Sequence, residues 1–195
     1  MAGKSSSSTG YAILVTLVSF SLAIFFFWLS DLLAAHLRSI TFSLLFLLII
    51  ILFGILADIM GVAVTAASEA PLHAKAAKKI PGATAGVYLI RHADRVANIM
   101  NDVVGDIAGT VSGALGIALV VQIIQLWPAA RPSLLNMFMT AVIAALTVGG
   151  KAMGKRIAIE KADEVVFTVG RAIDRLERLT GLNLTGGKKN GRSAR

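Results

Sequence analysis

Of 195 residues, 56% are hydrophobic and only 15% charged, with a mean hydropathy of +0.77; so little polar surface excludes an ordinary water-soluble domain and makes lipid the expected solvent. Cysteine is absent, which excludes disulfides, zinc–thiolate sites and thiol nucleophiles and restricts any metal site to oxygen or histidine donors. The net charge of +8 does not argue for nucleic acid, because 11 of the 19 Lys and Arg residues lie from Lys151 onward, outside the apolar segments; it reads as a topology pattern facing anionic lipid headgroups.

A helix needs roughly 20 apolar residues to cross about 30 Å of hydrocarbon, and four windows of about that length are predicted to span. The first covers 11–33, with Asp31 near its end; residues 5–30 carry no charge, longer than a signal-peptide core, so a retained helix is expected. The second covers 40–66, with Asp58 inside. A basic connection comes next, holding Lys75, Lys78, Lys79, Arg91 and Arg95, in which the Ile80-Pro81-Gly82 break predicts two short helices along the membrane surface. The third window covers about 98–127, with Asp102 and Asp106 near its start, and the fourth 133–150. Beyond it, Val165, Val169, Ile173 and Leu176 recur at helical spacing and predict an amphipathic helix. The Gly- and Lys-rich stretch 181–195 has nothing to pack and is expected to be disordered.

The expected fold is therefore all-α: four transmembrane helices, a cytoplasmic juxtamembrane helical hairpin and an amphipathic C-terminal helix. The basic second connection and the basic tail fall on one side of an even number of spans, which places both termini in the cytoplasm of a multi-pass cell-membrane protein.

Asn98, Asp102, Asp106 and Thr110 fall four residues apart and share one helical face. Acids at membrane depth face the protein interior or water and find a cationic partner. One reading makes Asp102 and Asp106 the metal ligands of a hard-cation site for magnesium, calcium or sodium; the other makes them solvated structural groups beside Arg95. Gly105, Gly109 and Gly113 repeat at the same interval and allow close helix packing, either as a dimer seam or sliding contact or within one subunit. Asp58, Thr65 and Glu69, with Ser68 adjacent, turn the end of the second span polar. They either oppose Asp102 and Asp106, or Glu69 only caps the next segment. Lys151 and Lys155 either snorkel into headgroups, or Lys151 turns inward and neutralises an acid where a cation would otherwise bind. His36, His73 and His92 show no ligand spacing, and no phosphate loop, nucleophile elbow or metalloprotease motif is present, so an enzyme is not expected.

The segments Ala66-Ala67-Ser68-Glu69-Ala70, Ala93-Asp94-Arg95 leading into Asn101-Asp102, and Gly150-Lys151-Ala152-Met153-Gly154-Lys155-Arg156-Ile157-Ala158 resemble, in order and distance, the transmembrane domain of the CorC and cyclin M (CNNM) magnesium transporters. The resemblance covers about 40–180, leaving 1–39 as an extra N-terminal transmembrane helix and 181–195 as a basic tail. It implies a homodimer in which each subunit holds a cation, Mg2+ or Na+, between serine, asparagine and glutamate oxygens, with a belt of juxtamembrane helices on the cytoplasmic side. By position, Ser68 falls near the serine ligands, Asn101 or Asp102 near the asparagine ligands, Lys151 at a motif glutamate and Gly154 at a motif proline. The last two depart from the pattern, and a lysine in place of a ligating acid repels a cation. The CBS domains usual in that family are absent from this sequence, so nucleotide regulation is not expected.

Two functions fit these residues. One is transport of a divalent cation or sodium through Ser68, Glu69, Asn101, Asp102 and Asp106. The other is a non-transporting membrane scaffold or partner subunit in which Lys151 replaces the ion and is expected to meet Asp102, Asp106 or Glu69, with Asp58 as a further ion-pair or switch candidate.

Overall fold

The structure, a computed structural model, describes the backbone of residues 4–36 and 39–181, with side chains described except at 4–9, 11–12 and 29–36. Every regular element among these residues is helical: α1 (Lys4–His36), α2 (Ile40–Ala66), α3 (Glu69–Ala77), α4 (Ala83–Arg91), α5 (Ala93–Asn98), a π-helical segment (Ile99–Gly105), α6 (Asp106–Leu126), α7 (Pro132–Glu160) and α8 (Ala162–Thr180). The expected disorder of 181–195 lies, apart from Gly181, outside the described residues.

Three helices are long and apolar enough to cross a bilayer, namely Ile40–Ala66, Ala93–Leu126 and Pro132–Glu160; α1 carries the shorter apolar stretch Ile13–Trp28 among the described residues. The 27 residues of α2 run about 40 Å at 1.5 Å per residue, more than the hydrocarbon thickness. Two spans differ from expectation. The third begins at Ala93 rather than near 98 and carries a π-helical turn, and the fourth continues ten residues past Gly150, to Glu160. No proline lies in 151–160 and Gly154 alone weakens the helix there, so polarity ended the apolar window but not the helix.

The chain divides into two compact units. The first comprises 1–58 and 100–154. Its core is a seam between α2 and the π–α6 stretch: Leu47 and Ile51 meet Val103, Ile107, Val111, Leu115 and Leu119, each one helical turn from the next. Gly54 permits the approach, since a Cβ there would stand 2.9 Å from the Ala108 Cβ. Ser43 donates a 3.3 Å hydrogen bond to Gln122 Oε1 across the same seam. Helix α1 lies against α6. Much of the remaining apolar surface points outward, including Phe42, Leu45, Ile49 and Leu52 on α2 and Met137, Phe138 and Val148 on α7. None of the apolar window of α7 is buried. Water does not tolerate so continuous an apolar exterior, whereas lipid does.

The second unit comprises 59–99 and 155–195, with a core of Ala63, Val64, Leu72, Val87, Leu89, Ala158 and Val166. Helices α3 and α4 are separate, as the Ile80-Pro81-Gly82 break predicts, and α4 packs on both α3 and α8. The chain leaves α3 through a paired turn: Lys79, at φ 55°, donates to Ala76 O, and Ile80 donates to Lys75 O, which satisfies the last carbonyls of the helix. Gly170 of α8 sits directly under the Gly82 carbonyl and the Gly86 amide, where no side chain fits. On α8 the buried line is Ala162, Val166 and Gly170, flanked by the partly buried Val165, Val169 and Ile173. Leu176, expected to continue the apolar stripe, is 52% exposed.

Candidate functional site: an intramembrane ion pair

Gly150 packs directly on the Ile55 side chain, which brings the α7 backbone against α2 three residues before Asp58. The next residue, Lys151, then places its ammonium Nζ 3.5 Å from Asp58 Oδ1, with side-chain exposures of 23% and 6%. Gly105, at the end of the π-helical segment, provides the room. A Cβ there would lie 3.3 Å from Lys151 Nζ and 4.0 Å from Asp58 Oδ1. Two glycines on two helices thus admit one long side chain to one buried acid. A charge on either side chain alone would carry a desolvation cost of several kcal/mol, which the opposite charge offsets.

Lys151 therefore turns inward, and the acid it meets is Asp58, one turn of α2 beyond Gly54, where Asp102, Asp106 or Glu69 was expected. The stripe of Asn98, Asp102, Asp106 and Thr110 is interrupted by the π turn, which adds a residue to the backbone ring and rotates the helix beyond it. Asp102, Asp106 and Thr110 are exposed, and Thr110 donates its hydroxyl to the Asp106 carbonyl at 2.9 Å. The Asn101 Oδ1 atom is buried without a hydrogen-bond partner among the described residues.

Ser68 and Glu69 belong to the second unit and there have structural partners. The Ser68 amide donates to Asp163 Oδ1 at 2.8 Å. Glu69 accepts from His73 at 2.9 Å and lies 3.6 Å from Arg91. The His73 hydrogen bond is the main cause that holds the Glu69 carboxyl below the ordinary glutamate value of 4.5; desolvation opposes it, and the Arg91 charge, a lesser contribution than either, adds to the lowering. Thr65 donates to Val62 O. Its hydroxyl therefore serves its own helix.

The glycine series has divided roles. Gly105 accommodates the ammonium and Gly116 packs on Ile143, but Gly109 and Gly113 face open space. The latter pair lines a groove of about 240 Å³ with Asn136, Thr140 and Thr147 of α7. His92 bonds the Tyr88 carbonyl at 2.9 Å; the His36 side chain lies outside the described set. Among the described residues no three His, Asp or Glu side chains converge on a common point suited to a metal ion.

Gly54 and Asp163 carry no signal in the sequence, and Arg91 stands out there only as one charge of the basic connection. His73 four residues after Glu69 was legible as an i, i+4 pair, but Arg91 and Asp163 reach their partners through the fold. Comparison with known proteins returned no match among family models, curated proteins or solved structures.

Proposed function

We propose that this chain is a four-span cell-membrane protein, divergent from the CorC and cyclin M transmembrane domain, in which the Lys151 ammonium stands in for a bound cation and the protein acts as a scaffold or partner subunit. The single observation that carries this reading is the 3.5 Å contact between Lys151 and the buried Asp58. An ammonium fixed at that position repels a second cation, and the acid it neutralises is withdrawn from any ligand set. The dispersal of the remaining acids supports the same reading, since Glu69 is engaged by His73 and Arg91.

The topology in this reading has α1 as the additional span, α3 and α4 as a juxtamembrane hairpin, and both basic stretches in the cytoplasm together with the two termini. A homodimer forms along the groove lined by Gly109 and Gly113. Small residues left open to the lipid side are the feature that lets a second helix backbone approach closely.

A second reading, transport of Mg2+ or Na+, is favoured by a specific group of features. A π-helical turn is frequent at functional sites, and this one carries Asn101, whose buried oxygen lacks a hydrogen-bond partner among the described residues, next to the exposed Asp102. An ion-flux assay on the full chain in liposomes decides between the two. The scaffold reading expects Mg2+ and Na+ flux at the level of empty liposomes. Flux above that level that Asp102→Asn or Asp106→Asn abolishes would overturn it in favour of transport.

A further inference from the structure

The second unit holds a cleft of about 520 Å³ lined by Lys75 of α3, Ile80 and Pro81 of the adjoining turn, and Phe167, Arg171, Asp174, Arg175 and Arg178 of α8. Four cations meet one acid in it. That acid, Asp174, is taken by Arg178 at 2.9 Å, while Lys75, Arg171 and Arg175 have no acidic partner among the described residues. Like charges gathered in one cleft repel each other unless an anion enters between them.

The fold holds two of these cations, Lys75 and Arg171, in place. The Lys75 ammonium stands 4.1 Å from the centroid of the Phe167 ring and the Arg171 guanidinium 4.8 Å from the same centroid. Both gain from the electron-rich face of the ring and keep their N–H donors free for an acceptor. The Arg171 backbone is fixed beneath Gly82, whose φ of +85° lets the Pro81-Gly82 turn lie directly on α8. Ile80, Pro81 and Phe167 make the floor apolar, and Leu179, on the same helical face as Arg175, is 84% exposed. A cationic cleft with an apolar floor and an exposed leucine at its rim suits an anion that carries a hydrocarbon chain better than a hydrated inorganic ion.

We infer that this cleft is a binding site for the phosphate of an anionic phospholipid, with Lys75, Arg171 and Arg175 as its ligands and the rim at Leu179 against the acyl region. The inference deepens the general attraction of a basic face for headgroups into one stoichiometric site. It rests on the membrane reading of the apolar helices and is independent of Lys151.

The test uses the purified full chain in detergent micelles, titrated with dioctanoyl phosphatidic acid, dioctanoyl phosphatidylcholine or inorganic phosphate, and read by native mass spectrometry and thermal midpoint. The expected result is one phosphatidic acid per chain, with weaker binding of phosphatidylcholine and of inorganic phosphate. Lys75→Gln lowers the affinity roughly tenfold and Arg171→Gln with Arg175→Gln lowers it further, each lost charge-assisted contact counting for about that factor. Arg156→Gln, which removes an exposed charge on α7, leaves it unchanged.

Equal loss in Arg156→Gln, or no loss in Lys75→Gln, would overturn the site. Inorganic phosphate competing at the concentration of the lipid would overturn the lipid assignment. Because Lys75 and the two arginines lie on different helices, a folding defect in one variant leaves the other to decide. Failure of phosphatidic acid to bind a chain that stays monodisperse only in detergent overturns this site alone; a chain that is soluble without detergent overturns the membrane reading with it.

Discussion

Lys151 and Asp58 are 93 residues apart in sequence and 3.5 Å apart in space, on α7 and α2, with the carboxylate side chain 6% exposed. Removing one member of such a pair leaves the other charge in a poorly solvated position. Lys151→Met should therefore lower stability by about 3 kcal/mol, read as a drop in the thermal or denaturant midpoint in detergent. The double change Lys151→Met with Asp58→Leu should cost less than the single one, because no charge is stranded. A double variant whose loss equals the sum of two singles would show that the side chains do not interact.

Gly109 and Gly113 face open space, so a larger side chain there meets nothing within one chain. Gly109→Ile and Gly113→Ile should leave the midpoint of the monomer within about 1 kcal/mol of wild type, apart from the modest propensity change at a helix interior, yet abolish the proposed dimer. Crosslinking or mass photometry in nanodiscs reads the outcome. Dimer that persists in both variants would locate the contact elsewhere.

The lowered Glu69 pKa has a definite sign. A carboxyl held below 4.5 in the folded protein contributes stability that is fully present above that value and fades as pH falls through the lowered folded value. Over roughly pH 3 to 6, the wild-type midpoint should decline below 4.5. Glu69→Gln should be less stable than wild type at the upper end and converge on it at the lower end. Because the side chain is 43% exposed, added salt should shrink the difference. Parallel curves for the two proteins would show that His73 and Arg91 contribute nothing at this position.

The sequence made the long apolar helices legible because their signal is local. A run such as Phe46-Leu47-Leu48-Ile49-Ile50-Ile51 is too apolar for water whatever it packs against, and the second predicted span matches Ile40–Ala66. Pro81 and Gly82 marked the break between α3 and α4 for an equally local reason, a missing N–H and a left-handed φ. The amphipathic nature of α8 was visible in its periodicity, although Ala162, Val166 and Gly170, not the larger Val165 and Leu176, form its innermost line. Gly170 is buried there because the start of α4 comes so close that no side chain fits.

The candidate site was legible only as an inventory. Asp58, Lys151 and Gly105 were each singled out, but no spacing rule joins three positions on three helices. Their meeting depends on Gly150 settling on Ile55. The π turn at Ile99–Gly105 was equally invisible, since a one-residue change in backbone hydrogen bonding leaves no periodicity over so short a stretch. Composition and hydropathy by themselves determined that this chain is helical and suited to lipid, because the cost of exposing backbone and apolar surface is fixed residue by residue. Which acid the half-buried ammonium meets was decided by tertiary structure alone, because electrostatic pairing depends on distance through space, and the chain sets that distance only after its helices have packed.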